Sequence, residues 1–553
     1  VPDTRLFDAI VVGSGAAGGF AARELTARGL SVLMLEAGPD IGRKDFEGAP
    51  KTAARKDINI WERVRATLKG QPVQARAAFF TQKFAKFFVH DGKNPYTTPR
   101  NAPFLWIRGR QSGGRLHSFG RVLLRWTDYD FKRHSRTGSG IDWPISYADL
   151  EPFYRQIEEH LGLYGNDDHA PTLPDGIYAA PAKLTAAEED FRDRIQARHP
   201  DRHVVSWRYI PPDPTRIPRP LRDALATGRL TVRHNAIVRR IATDPQTGRA
   251  TGAVFTDRLT RKTFMARAKS VVLCASTIES VRLLLNSATA RHPNGLGNSS
   301  GMLGRYFMDQ CPSLAFGAYP PTHGWTHDDS APADPFYNPS GGVYIPRFSD
   351  RDGQSHVGGF TFQGAIGRSE IPDDQPARLS LFGFGEMQPY ADNRITLDRH
   401  RRDAWNVPVP RIRCVLHDNE KKLLAAQEKT LVDMVHEAGG EIEFIGSPEG
   451  LREMGRGAFP DANWLTRLVF RKWFRKTMCM GAAIHESGGA RMGDDPANSV
   501  LDRWNRCWDV PNLFVTDASA FPTGGSVGTT LTVMALTVRA CGHLADQLEA
   551  GTL

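Results

Sequence analysis

Three glycines, Gly13, Gly15 and Gly18, stand in the spacing G-x-G-x-x-G within "FDAIVVGSGAAGGFAARELTARGLSVLMLEAGP". Glycine there lets the backbone approach a pyrophosphate. A helix starting at that point offers unpaired N–H groups and its positive dipole end to the anion. Glu36 follows Gly18 by 18 positions, where a carboxylate can bind a ribose hydroxyl pair and would repel a 2′-phosphate. The chemistry implied is the holding of FAD or NAD rather than NADP. A second candidate lies near the other end of the chain. "FPTGGSVGTTLTVMALTVRA", Phe521 to Ala540, is a Gly- and Thr-rich loop running into an apolar helix. It reads either as a cradle for a phosphate or planar cofactor, or as an ordinary helix start.

These residues need elements to position them. "DAIVVG" reads as a buried parallel strand, "AAGGFAARELTARG" as a helix stopping at Gly29, and "SVLMLE" as a second buried strand ending in Glu36. In the middle of the chain, "LTVRHNAIVRRIAT" alternates and "DPQTG" is a turn. "SVVLCAS" is a further buried strand and "TIESVRLLLNS" is helix-like, which returns the chain to the nucleotide site. The block Gly341 to Thr396, rich in Gly, Phe and Tyr, reads as antiparallel sheet, with "PYADNRITLD" as strand plus turn. "DNEKKLLAAQEKTLVDMVHEAGG" is an amphipathic helix with a glycine stop. The expected organisation is two domains interleaved in sequence, the nucleotide domain being assembled from separated pieces.

Composition narrows the classes. With 40% apolar residues among 553, the chain can bury a large core, and no apolar run reaches the ~20 residues a transmembrane helix needs. The net charge of +10 is spread along the chain rather than gathered in a basic stripe, which argues against nucleic-acid binding. The densest basic patch, "RLVFRKWFRKTMCMG" from Arg467 to Gly481, reads as a helix with a buried aromatic stripe and a solvated cationic face. The alternative for it is a membrane-surface or partner-binding helix. Six cysteines stand singly without a C-x-x-C, so no metal or iron–sulfur site is expected. The start "VPDTRLFDAIVVG" lacks a signal-peptide pattern, and the expected location is cytoplasmic.

Taken together, the segments resemble the glucose–methanol–choline (GMC) family of FAD-dependent oxidoreductases. The most specific is "HESGGARMGDDPANSVLDRWNRCWDVPNLFVTDASAFPTGGSVGTTLTVMALTVRACGHLADQL". "WIRGRQSGGRLHSFGRVLLRWTDYDF", "IDWPISYADLEPFY" and "NGLGNSSGMLGRYFMD" resemble a bacterial branch acting on sugars and glycosides. The resemblance implies an α/β fold: a Rossmann-type FAD-binding domain (1–50, 100–160, 215–310 and 480–553) interleaved with an antiparallel-sheet plus helix substrate domain or cap (51–99, 161–214 and 311–479). It implies oxidation of an alcohol, a secondary hydroxyl of a sugar, glycoside or sugar-containing natural product, by hydride transfer to flavin N5. O₂ or another acceptor then takes the electrons. A non-oxidative flavoenzyme on the same fold, or a flavin-binding subunit without alcohol oxidation, are the alternative readings.

By the same resemblance His485, in "AIHESGG", is the base. The residues expected to contact FAD include Gly13, Gly15, Ala16, Ala17, Gly18, Glu36, Ala37 and Ala275. Gly113 and Gly114 would pack against the isoalloxazine, and Val238 would supply backbone contacts to adenine. Asp517 and Ala518 would lie near the ribityl and pyrophosphate. Gly528, Thr529 and Thr530 would aim N–H groups at the flavin's pyrimidine carbonyl. Some relatives bond FAD covalently to a His. Here His117 is offset by one and Ser118 stands in its place, so FAD is expected to be non-covalent. The family's second catalytic His or Asn falls on Gly528, which has no side chain. Either His485 works alone, or Ser526, Thr529 or a loop residue supplies the hydrogen bond, or the chemistry is not ordinary alcohol oxidation.

Overall fold

The computed structural model describes residues 5–46, 60–77, 80, 85–211, 213, 215–325, 341–348, 355–368 and 375–553. Parts of the expected cap segment 51–99 and of the Gly341–Thr396 block lie outside the described residues. The chain forms β1 (Leu6–Val12), β2 (Val32–Leu35), β3 (Val205–Ser206), β4 (Leu230–Arg233), β5 (Ala236–Thr243), β6 (Ala250–Asp257), β7 (Thr263–Leu273), β8 (Cys311–Tyr319), β9 (Val343–Phe348), β10 (Phe360–Ile366), β11 (Ala377–Gly385), β12 (Arg394–Arg402), β13 (Pro408–Arg413), β14 (Glu441–Ser447), β15 (Gly450–Glu453) and β16 (Leu513–Val515).

The first sheet runs β4-β2-β1-β7-β6-β5, with β16 on β7. Its β4, β2, β1, β7 and β16 pairings are parallel, and β5-β6-β7 is an antiparallel meander. The alternating stretch "LTVRHNAIVRRIAT" is therefore split: Leu230–Arg233 joins the parallel part and Ala236–Thr243 opens the meander. The parallel strands are apolar on both faces, as burial on both sides requires: Ala9, Ile10, Val11, Val271, Val272 and Leu273 have no exposed surface. Helix Ala16–Ala27 leaves β1 through the glycine turn and packs against helix Thr530–Glu549, which also packs on helix Tyr147–Leu161. Tyr154 Oη and Thr532 Oγ1 lie 2.9 Å apart in that contact. The two glycine-rich ends of the chain thus meet.

The second sheet, β15-β14-β8-β11-β10-β9-β3, is antiparallel throughout. Helix Asp418–Glu437 covers one face through Leu423, Leu431, Met434 and Val435, and Gln427 Nε2 donates to Ser313 Oγ at 2.7 Å. Its other face borders the cavity described below. Together the sheets give the α/β fold with an interleaved antiparallel domain that the sequence implied. No helix among the described residues is long and apolar enough to cross a membrane.

The three motif glycines are required for different reasons. Gly13 has φ +97°, and a Cβ there would sit 2.6 Å from the Cys274 carbonyl oxygen. A Cβ on Gly18 would sit 1.9 Å from the Gly13 carbonyl oxygen, so Gly18 serves the helix–strand packing. A Cβ on Gly15 would meet nothing within 4 Å, because that position opens on the cavity. Gly18→Val is expected to cost ~3 kcal/mol or more and to leave no yellow holoprotein. Gly15→Ala should keep the wild-type Tm of the apoprotein yet bind FAD more weakly. Thermal denaturation and flavin titration of the two variants check this contrast.

Candidate active site

A cavity of about 630 Å³ runs from the β1 turn to the second sheet, within the size range of cofactor sites. Of the residues singled out in the sequence, Gly13, Gly15, Ala16, Ala17, Glu36, Ala37, Gly114, Ser118, Val238, Ala275, His485, Asp517, Ala518, Gly528, Thr529 and Thr530 line it. Three do not. Gly18 is spent on packing. Gly113, with φ +80°, donates its N–H to Ser14 Oγ at 3.0 Å behind the lining. Ser526 is corrected most sharply. It is fully buried, its hydroxyl faces Arg347 Nε at 3.3 Å, and its carbonyl accepts from Thr361 Oγ1 at 2.7 Å. It belongs to the support of the loop, above a buried cluster in which Arg347 meets Asp130 and Glu386.

At the nucleotide end, Glu36 accepts from Ser14 N at 3.1 Å, Ser14 Oγ at 2.5 Å and Gly38 N at 2.8 Å. Burial pushes its carboxyl above the usual range while these bonds pull it back. A carboxylate has about four lone-pair sites, which leaves acceptor capacity for a ribose diol. Asp517 caps the short turn Ala518–Ala520, accepting from Ser519 N at 3.0 Å and Ser519 Oγ at 2.6 Å, and bonds Ser280. It is both a turn residue and a wall of the cavity. His117 is held behind the lining by Ser112 O at 2.8 Å, while Ser118 reaches the cavity.

At the other end the loop 525–527 is buried and the chain surfaces into the cavity at Gly528, Thr529 and Thr530. Thr529 is the N-cap of the 20-residue helix Thr530–Glu549. First-turn N–H groups have no intrahelical acceptor, and the helix dipole places about half a positive charge there. Trp126 Nε1 fixes the Gly528 carbonyl at 3.2 Å. Facing them is His485. A Cβ built on Gly528 would lie 3.9 Å from His485 Nε2 and Cε1, so Gly528 occupies the place from which a side chain would reach the base.

His485 is positioned by two consecutive residues that the sequence reading passed over. Asp309 accepts from Gly481 N at 2.8 Å and His485 N at 3.0 Å. That brace holds Ile484 at φ +62°, a left-handed conformation costly for a β-branched residue. Gln310 Oε1 lies 2.6 Å from His485 Nδ1. Asp309 is pushed up to about 7 by burial and by neighbouring Glu486. His485 is driven down to about 4 by burial and by Arg115, and it is a neutral imidazole at neutral pH. No signal in one sequence marks Asp309 or Gln310, since their partners lie about 175 residues away.

Beyond His485 the wall is aromatic. Phe384 packs on its ring with centroids 5.2 Å apart. Phe382, two residues earlier on β11, shares that face, and its neighbour on β8 is Leu314. Helix Trp464–Thr477 lays Phe470, Trp473 and Phe474 along the cavity and leaves Arg471, Lys472, Arg475 and Lys476 exposed. The helix thus carries an aromatic stripe on the cavity and an exposed face on which Trp464, Leu465 and Leu468 stand beside the cations. Gln363 and Ser380 border the same space, and their side chains have no hydrogen-bond partner among the described residues.

A glycine turn at one helix N-terminus and a histidine opposed to another, in one cavity, are the parts that a dinucleotide-dependent oxidoreductase needs. The chain belongs to the GMC oxidoreductase family, whose models match residues 7–311 and 389–537. It is 27% identical to the 2-methyl-1,2-propanediol dehydrogenase of Mycolicibacterium austroafricanum, over 98% of this chain and 96% of that protein. It is 26% identical to the paromamine 6'-oxidase of Streptomyces fradiae, over 99% and 92%. Its identity to the C-glycoside 3-oxidase of Microbacterium trichothecenolyticum is 25%, over 98% and 97%. A variant of the Aspergillus oryzae RIB40 formate oxidase shares the fold over the full length of both chains, with TM-score 0.68 and 14% identity.

With His485 as the base that the family resemblance implies, its neutral form is the competent one, and activity should persist well below the ordinary histidine range. The anaerobic rate of flavin reduction is expected to stay flat from pH 7 to about pH 5 and to fall as pH passes about 4. A half-maximal point near 6.5 would contradict the burial of this ring.

Proposed function

We propose that the protein oxidises a secondary hydroxyl of a glycoside or sugar-containing natural product to a ketone, with His485 as the base. The observation that carries this reading is the meeting, in one cavity, of a neutral His485 with the helix N-terminus at Gly528–Thr530. The residues present fit FAD: Gly15 leaves open space at a helix N-terminus, Glu36 suits a ribose diol, and the wall from Ala275 to Ala518 joins the two ends. FAD, when bound, supplies the hydride acceptor at flavin N5. His485 Nε2 takes the hydroxyl proton, and the N–H groups of Gly528, Thr529 and Thr530 favour negative charge developing nearby. Thr529, whose hydroxyl has no hydrogen-bond partner among the described residues, supplies the hydrogen bond to the substrate oxygen that Gly528 lacks.

The aromatic wall favours a substrate with a flat apolar part, and Gln363 and Ser380 offer hydrogen bonds to its hydroxyls. An aglycone stacked on Phe382 and Phe384 gains about 0.5–1.5 kcal/mol per aromatic pair beyond burial. The relative that oxidises C-glycosides supports the same class.

Anaerobic mixing with aryl glycosides and with free sugars tests this. Aryl glycosides should bleach the flavin with at least ~10-fold higher kcat/KM, and His485→Ala should slow bleaching by roughly 10²–10⁴-fold with FAD retained. A flavin unchanged by every alcohol would sink the proposal in favour of a non-oxidative role.

FAD is proposed to be non-covalent, since Ser118 rather than His117 reaches the cavity. Acid precipitation is expected to leave the yellow colour in the supernatant. Colour in the pellet would show a covalent bond.

A further inference from the structure

Gln310 is fully buried between the base and the loop that carries Gly528. Its Nε2 lies 2.5 Å from the Gly525 carbonyl oxygen and 2.8 Å from that of Val527. Its Oε1 lies 2.6 Å from His485 Nδ1. These three contacts fix both the amide and the imidazole. Two carbonyl oxygens can only accept, so the amide edge facing them must be the NH₂ group. Oε1 then faces the histidine, and since it too only accepts, His485 Nδ1 must carry the proton. In a neutral ring the other nitrogen, Nε2, is left with its lone pair. Nε2 is the atom that faces Gly528, where a substrate hydroxyl can approach.

We propose that Gln310 is a positioning residue that locks His485 in the tautomer able to accept a proton at Nε2, and that the same carboxamide sets the gap between His485 and Gly528. The geometry excludes the opposite arrangement. A proton on Nε2 would require Nδ1 to accept, and Gln310 could donate to it only by turning its oxygen toward the carbonyls of Gly525 and Val527. The amide would then exchange two favourable contacts for two repulsive ones. A buried polar atom left unpaired costs more than one hydrogen bond gains, so the balance lies well on the side described. The charged group whose field reaches the ring is Arg115, and its pairing with Glu486 at 2.9 Å leaves the tautomer choice to Gln310. Phe384, on the ring's face, offers no hydrogen bond.

The proposal rests on His485 as the base, and its test separates the two claims. Nitrogen-15 spectra of histidine-labelled holoprotein, with the His485 signals assigned by their loss in His485→Ala, read the tautomer directly. The expected result is a protonated Nδ1 and an unprotonated Nε2. The reverse would overturn the proposal without any variant having to fold. Gln310→Leu matches the volume but cannot accept. It should mix the tautomers and lower the anaerobic rate of flavin reduction by roughly 10²-fold, with KM within about twofold and full FAD content. Gln310→Glu keeps an oxygen toward Nδ1 and, as the neutral acid, turns an O–H toward one of the two carbonyls, so it should recover part of that rate at a pH where this carboxyl is protonated and lose it where the carboxyl ionises. Leu and Glu variants equally slow, with an unchanged histidine spectrum, would reduce Gln310 to a loop support and overturn the proposal. A Gln310→Leu rate within twofold of wild type would do the same. If His485→Ala itself reduces flavin at a near-normal rate, the base assignment fails, whatever the tautomer spectrum shows.

Discussion

Val271, Val272 and Leu273 are hydrogen-bonded on both edges at once, to Ile10–Val12 on one side and to Leu513–Val515 on the other. This parallel pairing is the constraint on which the rest depends. It joins residues more than 500 positions apart, and it does so with apolar strands buried on both faces, where water cannot compete for the backbone. Asn512 pins the arrival of β16, accepting from Ala250 N at 2.9 Å and donating to the carbonyls of Ala250 and Lys269 at 2.7 Å each. Gly13, Cys274–Ala275 and Asp517–Ala518 then emerge side by side at the carboxyl ends of three parallel strands. That crevice is where open α/β sheets bind ligands.

Charge on the cavity wall is largely paired: Arg110 with Glu279 at 2.6 Å, Arg282 with Asp403 at 2.8 Å and Arg115 with Glu486 at 2.9 Å. A further buried set lies under the loop, where Arg347 and Arg133 meet Asp130 and Glu386, with Arg133 and Glu386 3.1 Å apart. Where His485 faces Gly528 the groups at hand are neutral: an imidazole, a hydroxyl, backbone N–H groups and the Phe384 ring. Such a setting strengthens each oriented dipole, because little water or mobile charge is present to screen it. It also explains why His485 sits so far below its ordinary range although only one cation influences it.

The local parts of this arrangement were legible in the sequence. Gly13 and Gly18, the two strands around them and Glu36 are specified by short-range spacing, because a tight turn and a close helix–strand approach need particular residues in a row. Helix Asp418–Glu437 and the aromatic stripe of Trp464–Thr477 were legible for the same reason. The parts that depend on distant partners were not. Ser526 looked available to substrate until Arg347 and Thr361, from β9 and β10, were seen to hold it from behind. Asp309 closed a family segment and Gln310 lay just past it, and only the fold brings them to His485. The split of "LTVRHNAIVRRIAT" into a parallel and an antiparallel strand is likewise decided by what lies beside it.

The sharing of the cavity between the first and last segments of the fold bears on how the protein is made. During synthesis the glycine turn at Gly13–Gly18 leaves the ribosome some 500 residues before Gly528–Thr530. β1 meanwhile has neither β7 nor β16 beside it, and long-range parallel pairing closes slowly. A nascent chain therefore holds half a cofactor site with an apolar strand edge exposed. A cofactor held as proposed would be gripped from both sides only once helix Thr530–Glu549 has been translated, so cofactor supply and chaperone protection matter most in that late interval.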